Sequence, residues 1–130
     1  MAIPRVLVLD DSPTALALAC RTVRRAGYEA VAVGCFVELS GALEGGADAI
    51  VLDLNLPAMS GESLGSFIRR RPGDLIPLVL FSGESPARLA SAARELGAIA
   101  AVSKLGADSQ RELGEAVRQA VESGRVSSPG

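Results

Sequence analysis

The sequence predicts an α/β fold in which a five-stranded parallel sheet is covered by helices on both faces. Two observations support this prediction. Five short apolar runs, rich in Val, Leu and Ile, recur along the chain, and segments with apolar residues at helical spacing separate them. Because an apolar run without alternation is typical of a strand buried on both faces, the sheet is expected to be parallel and doubly wound.

The apolar runs set the positions of the predicted strands. The first, third and fourth runs are nearly uninterrupted, so these strands are expected to have helices on both sides. The predicted strands cover residues 5–9, 29–33, 49–52, 76–81 and 99–102.

Helices are predicted between the strands from apolar spacing and from capping residues. The first begins after Ser12, a residue favoured at helix N-caps, and ends at Gly27. The fourth follows Pro86 and ends at Gly97, whereas the second is interrupted by Gly41. The predicted helices cover residues 13–26, 36–44, 60–71, 86–96 and 108–123. With right-handed crossovers the result is a flavodoxin-like (βα)5 architecture.

Composition limits the classes of protein that fit. The 130 residues suit one domain, predicted over residues 1–123, with 124–130 as a flexible tail or the start of a linker. The net charge of −2 offers no basic footprint for nucleic acid. The absence of histidine excludes the usual zinc sites and His-based triads. Two cysteines make no disulfide framework and no apolar run is long enough to span a membrane, so a cytoplasmic location is expected.

Five polar residues that could carry chemistry, three of them aspartates, stand at or just past the ends of predicted strands. Ligands of a doubly wound sheet bind at this edge. Clustered carboxylates repel one another unless a cation neutralises them, and oxygen ligands suit Mg²⁺. Any one of these residues alone would be interpreted as a strand-end cap or turn residue. Together they predict a magnesium site. The residues are Asp10, Asp11, Asp53, Ser82 and Lys104.

The combination resembles the receiver domain of two-component response regulators. The resemblance runs through "VLVLDDSP", "IVLDLNLPAMSG", "LVLFSGE" and "AAVSKLG". It implies that Asp53 accepts a phosphoryl group from a histidine kinase or phosphotransfer protein. It also implies that Ser82 and Lys104 contact the phosphoryl group, and that Pro57 and Gly61 belong to the loop after the acceptor.

The same resemblance implies the ligands of the metal ion. Asp11 and Asp53 would bind Mg²⁺ directly, together with the backbone carbonyl of Asn55. Asp10 would act largely through water. Glu84 and Asn55 occupy positions that tune loss of the phosphoryl group in the family, although a solvated charge and a turn amide explain them equally well.

Two positions depart from the family pattern. Ala101 stands where an aromatic ring usually couples phosphorylation to the last helical face. Leu105 stands where a cis proline usually follows the lysine, and a cis bond to another residue costs about 3 kcal/mol, so a trans peptide is expected there. The signalling relay must therefore use backbone shifts or other side chains.

The sequence leaves the output of the domain open. The chain is either a single-domain regulator or a receiver from a longer chain, and its downstream target is an unknown protein that would meet the surface from Leu89 to Val121. A receiver-like binding module without phosphorylation-driven switching is the main alternative. A small aspartyl-phosphate phosphatase is a more remote alternative. Such enzymes need a second acid two residues after the first, and this sequence has Ser12 two residues after Asp10.

Overall fold

The computed structural model describes residues 3–55, 63 and 76–126. Five strands and four helices lie within these residues. The strands are β1 (Arg5–Leu9), β2 (Glu29–Val33), β3 (Ala49–Leu52), β4 (Leu78–Ser82) and β5 (Ala100–Ser103). The helices are α1 (Pro13–Arg25), α2 (Phe36–Glu44), α3 (Pro86–Leu96) and α4 (Ser109–Val126).

The strands form one parallel sheet in the order β2-β1-β3-β4-β5, which confirms the predicted doubly wound architecture. β1 connects to β2 on one side and lies beside β3 on the other, so the strand order reverses between β1 and β3. This is the position at which such sheets bind ligands.

Alternate residues of the strands point into two separate cores. Val6 and Val8 face the core covered by α1 and α4, whereas Leu7 and Leu9 face the core covered by α2 and α3. All four side chains are buried. A strand with a core on each face needs apolar residues at every position, which explains the uninterrupted apolar runs.

Short polar residues and glycines set the helix ends as expected. The Ser12 hydroxyl accepts a hydrogen bond from Ala15 N at 3.4 Å, and the Ser85 hydroxyl accepts one from Arg88 N at 3.3 Å, each just before a proline. α3 ends at Gly97, whose φ of 64° is the left-handed conformation that glycine adopts without strain.

Several boundaries differ from the prediction. β4 begins at Leu78, two residues later than predicted. β4 and β5 each extend one residue beyond the predicted end, because main-chain pairing continues through the polar pair Ser82 and Ser103. The last helix begins at Ser109 and continues to Val126, so residues 124–126, assigned to the tail, are helical. The predicted helix at 60–71 lies outside the described residues except for Ser63, which is helical, and so do Pro57 and Gly61.

Replacing each of two glycines with alanine is expected to change the free energy of unfolding in opposite directions. Gly97→Ala should lower the free energy of unfolding by about 1 kcal/mol, because a Cβ is strained at positive φ. Gly41→Ala should raise it by about 0.5–1 kcal/mol, since Gly41 lies inside α2 and a Cβ there meets nothing within 4 Å. Urea unfolding of both variants measures the two effects, and equal signs would contradict the prediction.

Candidate functional site

Two buried aspartates follow the two strands at which the sheet order reverses. Asp10 follows β1 and Asp53 follows β3, and they are 2% and 5% exposed. The Asp53 N–H donates to the Leu9 carbonyl at 3.1 Å, which ties the second acid to the end of β1. The adjacent strands therefore bring two carboxylates, distant in sequence, to one edge of the sheet.

Each aspartate uses one carboxylate oxygen to hold its own turn. Asp10 Oδ1 accepts a hydrogen bond from Ser12 N at 3.0 Å, and Asp53 Oδ1 accepts one from Asn55 N at 3.0 Å. Aspartate commonly makes this bond to the backbone two residues ahead. The other oxygen, Oδ2, of each acid is thereby turned toward the centre of the site.

Lys104 joins the two acids. Its Nζ lies 2.6 Å from Asp10 Oδ2 and 2.9 Å from Asp53 Oδ2. Its backbone N–H donates to the Ser82 carbonyl at 2.9 Å, and its Nζ lies 5.6 Å from the centre of the Phe81 ring. Lysine thus supplies the positive charge that two adjacent buried carboxylates require.

The pKa of Lys104 reflects this arrangement. Burial favours the neutral amine and by itself lowers the pKa, but the hydrogen bonds and charges of Asp10 and Asp53 outweigh burial, so the pKa is raised above its ordinary value of 10.5. The side chain is 21% exposed, so water reaches the amine from one side. The ammonium form is therefore dominant at neutral pH.

The stabilising effect of this charge should depend on pH. A pKa that is higher in the folded than in the unfolded chain favours folding below pH 10.5, and this contribution declines as the pH rises from there through the folded-state pKa. The unfolding free energy of the wild type minus that of Lys104→Met, which lacks the amine, should stay constant near pH 8 and fall above about pH 11. A difference that grows with alkalinity would contradict this assignment.

A third carboxylate completes a group that could hold a metal ion. One oxygen from each of Asp10, Asp11 and Asp53 lies within 4.8 Å of the others, and Asp11 is exposed whereas the other two are buried. Three carboxylate oxygens that open to solvent on one side fit Mg²⁺, which prefers oxygen ligands and keeps several waters.

Ser82 lies beside the acids at the end of β4 and is fully buried. The side-chain amide of Asn55 donates to its hydroxyl over 3.5 Å, a long hydrogen bond. Glu84 forms an ion pair with Arg88 at 3.5 Å, one turn into α3. The structure therefore brings together the predicted residues Asp10, Asp11, Asp53, Ser82 and Lys104, and it adds an amide contact between Asn55 and Ser82.

The two atypical positions lie next to this site. Ala101 is exposed on β5 opposite Leu80, and its methyl group provides no ring at this position. No cis peptide bond occurs among the described residues, so the bond from Lys104 to Leu105 is trans as expected. The Leu105 side chain is 76% exposed, and its N–H donates to the Ser103 hydroxyl at 3.1 Å.

Sequence reasoning missed three contributors to the site. The Ser12 N–H, the Ser103 hydroxyl and the Phe81 ring each contact a site residue or the turn that carries it. The sequence pattern places Phe81 in a strand without a role in the site, and it leaves Ser103 outside the last predicted strand. A serine directly before a predicted site residue was the available signal, because serine hydroxyls commonly hold turns.

A doubly wound sheet with three carboxylates and a lysine at its point of strand reversal defines a class of α/β domains with a charged site at the C-terminal ends of the strands. Within that class, the chain belongs to the response regulator receiver domain family, whose family model matches residues 6–118. This is a regulatory rather than an enzymatic class of domain.

Proteins similar to this chain are consistent with that membership. The transcriptional regulatory protein PrrA of Mycobacterium tuberculosis is 40% identical over 96 residues, which cover 73% of this chain and 41% of PrrA. This chain thus matches about two-fifths of that relative. A CheY-like receiver domain protein of Methanospirillum hungatei superimposes with a TM-score of 0.81 at 21% identity, covering 98% of this chain and 100% of its own.

A third similar protein was solved with a ligand. The response regulator TrrA of Thermotoga maritima, in complex with Mg²⁺ and BeF, superimposes with a TM-score of 0.75 at 26% identity over 91% of this chain and 99% of its own.

Among the described residues of this chain, none of the helices has both the length and the apolar content to cross a membrane.

Proposed function

We propose that this receiver domain is a phosphoacceptor of a two-component phosphorelay, with Asp53 as the acceptor. The observation that carries the proposal is the division of the Asp53 carboxylate. Oδ1 accepts a hydrogen bond from the Asn55 N–H, while Oδ2 lies 2.9 Å from Lys104 Nζ. The carboxylates of Asp10 and Asp11 lie close by. A buried carboxylate with one oxygen held by its own turn and the other oriented toward a cation is suited to act as a nucleophile.

The donor would be a phosphohistidine of a histidine kinase or phosphotransfer protein. Asp53 Oδ2 attacks phosphorus, the new P–O bond forms as the P–N bond breaks, and the imidazole keeps the electron pair. Such a transfer needs an oriented nucleophile and positive charge near the phosphoryl oxygens, with little other covalent work for the protein.

Other side chains of the site would stabilise the transferred group. The Lys104 ammonium, which already lies against Asp53 Oδ2, would pair with a phosphoryl oxygen. The Ser82 hydroxyl would donate a hydrogen bond to another oxygen, since it lies at the same strand edge and its contact to Asn55 is long. Both groups act on charge that builds up beside Asp53.

Mg²⁺ is the cofactor that this group of ligands fits. Asp11 and Asp53 would hold it, with the backbone carbonyl of Asn55 as a further ligand and Asp10 acting through water. A bound Mg²⁺ supplies positive charge that offsets the phosphoryl oxygens. The complex of TrrA with Mg²⁺ and BeF supports this assignment.

The partners follow from this role. A histidine kinase or phosphotransfer protein would act upstream in the cytoplasm, and an unknown protein would act downstream. We assign the domain to residues 1–126, because α4 continues past the predicted boundary at residue 123, with a tail or linker after it. A binding module without phosphorylation-driven switching remains the second candidate, because Ala101 is exposed and provides no ring to move.

The direct test is uptake of a phosphoryl group from a small acyl phosphate. The chain should gain the mass of one phosphoryl group in the presence of Mg²⁺ and none in excess chelator, and peptide mapping should place the group on Asp53. No gain with Mg²⁺, or a gain at another residue, would refute the proposal.

A comparison of amide spectra separates the two candidates. For a phosphorylation-driven switch, addition of Mg²⁺ and a phosphoryl mimic should shift amides around Asp53 and also those of α3, β5 and α4. Shifts confined to the site would favour the binding module.

A further inference from the structure

The turn that carries Lys104 is fixed by hydrogen bonds on both sides of that residue. The Lys104 N–H donates to the Ser82 carbonyl at 2.9 Å, and the next N–H, of Leu105, donates to the Ser103 hydroxyl at 3.1 Å. The first bond extends the pairing of β5 with β4. The second bends the chain back over the residue just before the lysine.

We propose that Ser103 is a positioning residue that orients Lys104 toward Asp10 and Asp53. The proposal rests on the proposed function, because it assigns Ser103 to the phosphoryl-transfer site through the lysine alone. Ser103 touches neither acid in this role. Its hydroxyl sets the direction in which the main chain leaves β5, and that direction decides where the lysine side chain starts.

The hydrogen bond to the Ser103 hydroxyl can form because position 105 is a leucine and not a proline. A proline has no N–H and could not donate to Ser103. Leucine retains the donor, and since its side chain is 76% exposed, its backbone N–H is the group that contributes to the turn. The serine hydroxyl thus restrains a trans turn at a position where the family pattern has a cis proline instead.

Small changes in this turn would reach the site because the lysine contacts are short. Nζ lies 2.6 Å from one carboxylate and 2.9 Å from the other, and a lysine has several freely rotating side-chain bonds. A turn that samples other directions would reduce the fraction of molecules in which both contacts form. A hydrogen bond of this kind contributes about 1 kcal/mol, which corresponds to about a fivefold change in the ratio of molecules with both contacts to molecules without them.

The experiment compares Ser103→Ala with Ser103→Thr, which keeps a hydroxyl, and with Ser91→Ala, a matched control on the exposed side of α3. Lys104 is the only lysine of the chain, so its ε-methylene signals are assigned without ambiguity. Because Nζ lies 5.6 Å from the Phe81 ring centre, ring-current shifts of those signals report the position of the lysine without phosphorylation. The rate of phosphoryl uptake from acyl phosphate is the second readout.

We expect Ser103→Ala to lose part of the ring-current shift and to take up the phosphoryl group more slowly, by up to about fivefold. Ser103→Thr and Ser91→Ala should keep both properties. The inference is overturned if Ser103→Ala retains the shift, or if it loses the shift without slower uptake. A wild type that takes up no phosphoryl group would refute the proposed function instead, and the ring-current shift would still show whether Ser103 places the lysine.

Discussion

Asp53→Asn is expected to abolish uptake of a phosphoryl group, with a fall of more than about a hundredfold. An amide is a poor nucleophile. Asp10, which also contacts Lys104, and the exposed Asp11 are assigned to the metal ion, so neither is expected to take up the group in place of Asp53. The measurement is the mass of the intact chain after incubation with Mg²⁺ and acyl phosphate.

Loss of uptake has meaning only if the variant folds. Asparagine keeps the Oδ1 that accepts from the Asn55 N–H, and Lys104 keeps its bond to Asp10. The unfolding free energy should therefore stay within about 1 kcal/mol of the wild type. Asp108→Asn, at an exposed acid outside the site, is the matched control and should take up the group normally. Uptake by Asp53→Asn at the wild-type rate would remove Asp53 as the acceptor.

Lys104→Met is expected to have the largest effect on stability of any single change at the site. It leaves two buried carboxylates side by side without their cation, and breaking a buried ion pair in this way typically costs about 3–5 kcal/mol. Because the lysine is partly exposed, we expect a loss of about 2–4 kcal/mol at neutral pH without metal. Urea unfolding in the presence of chelator measures it.

Magnesium should reverse much of that loss. A cation that binds the folded chain stabilises it by mass action, and it should do so more in Lys104→Met, where it does not compete with an ammonium for the same oxygens. Arg94→Met, at an exposed position near the end of α3, should lose less than about 0.5 kcal/mol and gain no extra benefit from Mg²⁺. An Lys104→Met protein as stable as the wild type in chelator would show that the lysine does not balance the two acids.

The fold, and the positions of the candidate site residues at one edge of the sheet, were predictable because both depend on apolar patterning. Uninterrupted apolar runs located β1 and β3, and the parallel order then places Asp10 and Asp53 at a single edge. No contact had to be known in advance. The same reasoning placed Ser82 at the end of one strand and Lys104 just past another.

The details that apolar patterning does not encode were missed. β5 runs on to Ser103 because main-chain pairing continues past the last apolar residue of the strand, and α4 runs on to Val126, through Gly124, where the sequence pattern placed the start of a tail. The bond from Leu105 to Ser103 and the contact from Asn55 to Ser82 depend on turn geometry and rotamers, which leave no periodic trace in a sequence. The trans peptide after Lys104 was predictable because cis bonds are rare without proline.

The strand order has a consequence for the dynamics of the site. Asp10 and Asp53 follow β1 and β3, which have neighbours on both sides, whereas Lys104 follows β5, which pairs only with β4 at the edge of the sheet. Amide hydrogen exchange should therefore be faster in β5 than in the two interior strands, since edge elements open locally at lower free energy. Brief detachment of β5 would move the Lys104 ammonium away while both carboxylates stay in place. The two aspartates are therefore the rigid part of the site, and the lysine is its mobile part.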